Sequence, residues 1–192
     1  SACEMVAEVL QYIGDDGIKI KPAEADAMYA GIVIDTNNFM NQAGVRTFEA
    51  AAFLRRNGAD VVRVRKLFRD RLEDYRARAE AIQKAEIYHG AFAISVCPSE
   101  GLESPTVVGA QAANELLDIV GIKASFILTQ MGDTIYFSAR SIDEINVQII
   151  MERLGGGGHR TIAGAQLKGA TIDEAREKLK DLITDMMEKG EI

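Results

Sequence analysis

Four consecutive glycines followed by a histidine, Gly155, Gly156, Gly157, Gly158 and His159, form the most unusual run in the chain. Glycine loses more conformational entropy on folding than any other residue, so such a run is destabilising unless backbone must approach something closely or adopt φ > 0. Successive bare N–H groups can form an anion nest, for which phosphate is the favoured guest. A neighbouring histidine can donate to a phosphate oxygen. The plain alternative is a flexible turn, although two or three glycines would serve one. The GK[ST] ending of a P-loop is missing, and the run follows a helical pattern rather than a strand, so it is not a dinucleotide fingerprint.

Just upstream stands Ser138-Ala139-Arg140-Ser141, at the end of a strand pattern. A strand end presents a hydroxyl and a guanidinium rigidly, and Arg140 can bind a phosphate bidentately. Asn146 follows at the head of the helix that leads into the glycines. Singly, each is an ordinary surface residue; as strand, Ser-Ala-Arg, helix and glycine run within 22 residues, they form a specific cluster. Asp35 sits on the apolar stem Ile32-Val33-Ile34. Burying it demands a partner or a metal, and hard divalent ions such as Mn²⁺ and Mg²⁺ prefer carboxylates. One aspartate makes no metal site, and a helix-end role is its simpler reading. His89 reads as structural.

The elements that must position these groups fall into two textures. Residues 1–13 read as a helix, ended by Gly14 and the turn Asp15-Asp16-Gly17. Pro22 opens a second helix that ends near Asp35. Thr47 is the expected cap of a third, with Phe48, Ala51, Ala52 and Leu54 on its buried side. One long charged helix is expected from Val64 to His89, linking two lobes. Ten of the chain's 22 basic residues lie between Arg46 and Arg78; they read as a solvated face or as a wall facing a polyanion. After Gly90 the pattern turns to α+β. AFAISVC reads as a buried strand, Thr106–Val120 as a helix, SFILTQ and TIYFSAR as a hairpin across Met131-Gly132-Asp133, INVQIIMERL as a helix, AGAQLK as a strand and Ile172–Lys189 as a final helix. The fold class is therefore α/β in composition and α+β in arrangement. A helical part (1–62), a linker helix (63–89) and an α+β domain with a mixed sheet (90–192) are expected.

Composition narrows the partners. With 192 residues, 47% hydrophobic and 27% charged, the chain can build a sizeable core. A formal charge of −7 disfavours duplex DNA. No apolar run approaches the roughly 20 residues of a membrane span, and the acidic N-terminus is unlike a signal peptide. Cys3 and Cys97 fit no zinc spacing and read as reduced, buried thiols of a cytoplasmic protein. The chain opens at Ser1, in mid-helix and without a Met, which reads as a piece of something longer.

SARS…NVQ…LGGGGHRTIAGAQL resembles the DHH-associated domain of the DHH phosphoesterase superfamily. GIVIDTNNF with GVRTFEAAAFLRRNGA resembles the end of that superfamily's catalytic domain, and SACEMVAEVLQYI a helix shortly after its DHH motif. INVQIIMERLGGGGH and RTFEAAAFLRRNGAD look most like the GdpP/YybT branch of membrane-anchored cyclic-di-AMP phosphodiesterases. The resemblance implies two-metal Mn²⁺ hydrolysis of cyclic-di-AMP to pApA, with Asp35 a metal ligand. It implies substrate binding by Ser138, Arg140, Asn146, Gly155–Gly158 and His159. The expected partner is a cyclic dinucleotide or a short oligonucleotide, with a homodimer possible and any membrane contact made through segments not in this chain.

The DHH triplet itself is missing, and the histidines are His89 and His159 alone. Most of the family's metal ligands are thus not in these residues, and the chain is expected to be inactive by itself. Two alternatives stand beside this one: a RecJ-like or nanoRNase-like exonuclease of short oligonucleotides, and a non-enzymatic nucleic-acid or nucleotide-binding module.

Overall fold

The structure, a computed structural model, describes residues 1–13, 19–40, 42–142 and 144–192; the turn expected at Gly14–Gly17 lies outside them. The chain forms two compact units, residues 1–69 and 70–192.

Among its described residues the first unit holds four helices, α1 (Ala2–Ile13), α2 (Pro22–Asp35), α3 (Val45–Arg56) and α4 (Val61–Leu67). Small residues let them pack closely: Ala7, Ala25, Ala50 and Ala59 surround Ile32 and Leu54 in the core. Gly31 of α2 makes room for α1, since a Cβ there would lie 2.4 Å from Cys3 Sγ. Thr47 is not the cap of α3. The helix begins two residues earlier, and Thr47 sits buried in its first turn. Its hydroxyl accepts from the Gly44 N–H (3.1 Å) and donates to Glu4 (3.0 Å), joining α3 to α1. Phe48 and Ala52 face outward, because the line packed inward is Thr47, Ala50, Ala51 and Leu54. Arg46 grips Glu8 and Arg63 grips Asp26. The Arg63 bond holds the Asp26 carboxyl below the usual carboxylate range.

The second unit is a six-stranded mixed sheet in the order β1-β2-β3-β4-β6-β5. Its elements are α5 (Leu72–Gln83), β1 (Glu86–Tyr88), β2 (Phe92–Cys97), α6 (Pro105–Leu116), β3 (Ala124–Met131), β4 (Thr134–Ser141), α7 (Val147–Arg153), β5 (Gly157–Gly158), β6 (Ile162–Lys168) and α8 (Ile172–Glu188). Only β2 and β3 run parallel, joined through α6; the other neighbours are antiparallel.

The single helix expected from Val64 to His89 is instead α4, α5 and the edge strand β1. Arg78, buried on α5, explains the break. It donates to Asp70 (2.6 Å) and to Gln111 (3.0 Å) and pairs with Glu115 (2.7 Å) on α6. In an unbroken helix, residues eight apart lie about 12 Å apart along the axis. The Asp70–Arg78 bond is therefore incompatible with one helix running unbroken through Asp70 to Arg78. Of the ten basic residues from Arg46 to Arg78, Arg46, Arg63, Arg71 and Arg78 have carboxylate partners, so four of the ten charges are neutralised locally.

The sheet has two unlike faces, as period-2 alternation requires. On one, Phe126, Leu128, Ile135 and Phe137 pack under α7 and α8 against Ile150, Met151, Leu179 and Ile183. On the other, Ala93, Cys97 and Ile127 pack under α5 and α6. Two buried hydroxyls pin those helices: Ser95 donates to the Ala81 carbonyl and Ser125 to the Ala113 carbonyl, each at 2.6 Å. Burial pushes the Cys97 thiol up to about 11. Cys3 is only half-buried, so the expectation of two buried thiols holds for Cys97 alone. His89, at φ +45°, has its ring 3.1 Å from the Thr184 hydroxyl.

Candidate functional site

Helix α6 packs along the β2–β3 side of the sheet, and on that same face β4, β6 and β5 present a row of small and polar groups. Register partners share a face, so Ile127, Ser138, Gly164 and Gly157 form one line across four strands. Beyond Ser138 this line is bare backbone. Gly164 is bare of necessity, since a Cβ there would lie 2.9 Å from the Phe137 carbonyl oxygen. On one side of the line lies the row Ser125, Arg140 and Ile162; on the other lie Tyr136 and Gln166.

Arg140 is half-buried on this shelf. Its Nε donates to Asn114 Oδ1 (3.0 Å) and one terminal nitrogen donates to the Ala139 carbonyl (2.9 Å). Among the described residues it has no carboxylate partner. Burial alone lowers its pKa, yet a guanidinium stays charged. A partly desolvated cation held only by neutral acceptors is poised to take an anion, because the ion pair it lacks is the interaction that offsets desolvation. Asn114, which aims it, was not legible in the sequence: an asparagine on a helix surface carries no signal by itself. Gly164 did carry one, because glycine inside a strand marks close backbone approach.

The glycine run divides by role. Gly155, at φ +82°, follows the end of α7. Its N–H bonds to the Glu152 carbonyl (2.9 Å) and that of Gly156 to the Met151 carbonyl (2.8 Å). This double closure is a Schellman ending. Those two N–H groups are consumed, so an anion nest is not built from them. Gly156 must also be bare, since a Cβ would lie 2.0 Å from the Gly164 carbonyl oxygen and 2.6 Å from Ala165 Cα. Gly158, at φ +147°, meets Ala163 in the same way. A Cβ on Gly157 meets nothing within 4 Å. Three of the four glycines thus serve the helix end and the strand contact; Gly155 and Gly157 both have open space, but Gly155 is held at φ +82°, and Gly157 is the one paired with Gly164 on the shelf.

His159 begins the turn into β6. Its N–H donates to the Ile162 carbonyl (2.7 Å) and the Ile162 N–H donates back to its carbonyl (3.2 Å), leaving the ring exposed. Asn146 caps α7, with Oδ1 accepting from the Gln148 N–H (3.1 Å). Ser138, Arg140 and Gly157 therefore share one face, whereas Asn146 and His159 stand at the ends of the elements that border it. Asp35 belongs to the other unit and ends α2 exposed to solvent. After it, the buried Thr36 hydroxyl donates to the Ile32 carbonyl (2.7 Å) and accepts from the Phe39 N–H (3.0 Å). These bonds hold Asn37, Asn38 and Phe39 in the left-handed region. No group of three metal-ligating side chains occurs among the described residues. The donors present do not make a two-metal site, and Asp35 offers one carboxylate toward one.

Residues 91–185 match the DHHA1 domain family. The chain is 44% identical over 191 residues to the cyclic-di-AMP phosphodiesterase GdpP of Geobacillus thermodenitrificans, covering 99% of this chain and 29% of that protein. It is 42% identical to the cyclic-di-AMP phosphodiesterase PdeA of Listeria monocytogenes, covering 100% of this chain and again 29% of the relative. The chain thus spans under a third of the length of these relatives, in their C-terminal part. In fold it is similar to an exopolyphosphatase-related protein from Bacteroides fragilis, with a TM-score of 0.82 at 20% identity, over 97% of this chain and 56% of that one. The mixed-sheet fold, the glycine run and these likenesses converge: residues 91–185 form a DHHA1 domain, within a chain that is similar over nearly its whole length to the C-terminal part of cyclic-di-AMP phosphodiesterases.

Proposed function

We propose that this chain holds the substrate-binding lobe of a phosphodiesterase acting on cyclic-di-AMP, yielding pApA. The observation that carries the reading is Arg140, a half-buried guanidinium aimed by Asn114 over a bare backbone shelf without a carboxylate partner among the described residues. Arg140 takes a substrate phosphate bidentately. The Ser138 hydroxyl adds a donor beside it, and Gly157, without a side chain, leaves the space over the shelf open. His159 and Asn146 close the border of the site. The likeness to cyclic-di-AMP phosphodiesterases supports the cyclic dinucleotide as ligand.

Phosphodiester hydrolysis in such a parent relies on divalent metal, which supplies an activated water and charge stabilisation; Mn²⁺ is the ion we propose. Asp35 is the one ligand proposed from this chain. Its carboxylate would supply one oxygen donor to such an ion. A cytoplasmic setting fits both a nucleotide second messenger and the unpaired thiols Cys3 and Cys97. No helix among the described residues is long and apolar enough to cross a membrane.

Calorimetric titration of cyclic-di-AMP, pApA and a 12-mer single strand tests the substrate class. Cyclic-di-AMP binding tighter than the 12-mer supports the reading. A reversed order supports an oligonucleotide nuclease, which the chain's net charge of −7 disfavours because polymer binding leans on phosphate neutralisation. Incubation with Mn²⁺ is expected to give no hydrolysis by this chain alone.

A further inference from the structure

Beside the shelf lies a shallow cavity of about 310 Å³, lined by Tyr136 and Gln166, by Gly155, Gly156 and Gly164, and by Phe137 and Ala165. Tyr136 on β4 and Gln166 on β6 are direct register partners, so both side chains stand on the shelf face, with Cβ atoms about 5 Å apart. Tyr136 is two residues along β4 from Ser138 and four from Arg140, on the same face. Gly164 and Gly156 bear no side chains, so the ring is left uncovered on that side. Neither the Tyr136 hydroxyl nor the Gln166 amide has a hydrogen-bond partner among the described residues. An open aromatic face, a free amide and bare backbone around one cavity are the components of a planar-ring site with one polar recognition edge.

We propose that Tyr136 and Gln166 form a base subsite, with Tyr136 stacking on the base and Gln166 selecting adenine. The selection follows from hydrogen-bond polarity. A primary amide offers one donor and one acceptor, matching adenine's N7 acceptor and N6 amino donor. Guanine presents two acceptors at N7 and O6, and the amide can satisfy only one of them. The position of Arg140 along the same strand places phosphate and base on one face of β4. This subsite rests on the proposal that the shelf binds a cyclic dinucleotide.

The test is isothermal titration of the 192-residue chain and of Tyr136→Ala, Tyr136→Phe and Gln166→Ala with cyclic-di-AMP and cyclic-di-GMP. Far-UV circular dichroism confirms that each variant is folded. Tyr136→Ala is expected to weaken both ligands roughly 10- to 100-fold, the range to which stacking energies convert, while Tyr136→Phe stays within about threefold because the ring is kept. Gln166→Ala, at an exposed position that folding does not need, is expected to reduce the adenine preference about tenfold and leave cyclic-di-GMP unchanged. If the unaltered chain binds neither dinucleotide at millimolar concentration, the shelf reading fails and the subsite with it. If it binds cyclic-di-AMP while Tyr136→Ala and Gln166→Ala keep its affinity and preference, the base subsite alone is overturned.

Discussion

Replacing Gly156 by alanine is expected to cost far more stability than the same change at Gly157. At Gly156 the new Cβ would lie 2.0 Å from the Gly164 carbonyl oxygen, 2.6 Å from Ala165 Cα and 2.7 Å from Ala165 Cβ. Two of these are backbone atoms of a strand hydrogen-bonded to β4, so no rotamer change relieves the contact. The turn must lift off β6, breaking the Gly157–Gly164 and Gly158–Ala163 pairing and disturbing the N–H closure on Met151. Overpacking of this kind costs about 1–3 kcal/mol before any pairing is lost. Each lost hydrogen bond adds about 1 kcal/mol, which brings the sum to roughly 3–4 kcal/mol. At Gly157 the Cβ meets nothing, and alanine reduces the freedom of the unfolded chain, an effect of up to about 1 kcal/mol in the stabilising direction. Urea unfolding followed by circular dichroism suits a chain without Trp. In thermal melts a domain of this size shifts about 2–4 °C per kcal/mol, which separates the two variants by roughly 10 °C. Equal stability of Gly156→Ala and Gly157→Ala would refute the assignment of Gly156 to strand packing.

Three further predictions follow from packing and burial. Gly31→Ala is expected to destabilise the first unit, because its Cβ would lie 2.4 Å from Cys3 Sγ, and Cys3→Ala in the same chain should recover most of the loss; a melt of the double variant no better than the single contradicts the contact. With its thiol pushed up to about 11, Cys97 should resist alkylation at pH 8 while half-buried Cys3 reacts, so mass spectrometry should find one fast-labelled cysteine per chain and not two. The same burial favours the protonated thiol in the folded state. Its contribution is present below the unfolded thiol's pKa, near 8.5, and is lost as pH rises toward about 11. The wild type should therefore lose stability over that window more steeply than Cys97→Ala, and parallel profiles would contradict it.

What the sequence shows follows its local signals. The β3–β4 hairpin is legible because alternating apolar residues flank Gly132, and α8 because Thr171 and Glu174 form a capping box before an apolar stripe. Strands β1 and β5 are not, since three and two residues carry no periodicity. The break between α4 and α5 contains no glycine or proline; what excludes an unbroken helix there is the Asp70–Arg78 bond, a tertiary contact that periodicity cannot display. At the site, Arg140 and Ser138 announce themselves by type at a strand end. The glycine run announces a backbone constraint, yet only the structure separates the helix-end and packing glycines from Gly157. Tyr136 and Gln166 lie 30 residues apart in sequence and meet only through β4–β6 register.

The most direct test of the central claim is calorimetric titration of cyclic-di-AMP onto the chain and onto Arg140→Ala. Loss of a bidentate, partly desolvated phosphate contact of about 2–3 kcal/mol converts to roughly a 30- to 150-fold fall in affinity. Saturable binding by the chain and a loss of that size in the variant is the predicted result. Absence of binding by the chain, or unchanged affinity in Arg140→Ala, contradicts the assignment of this shelf to substrate phosphate.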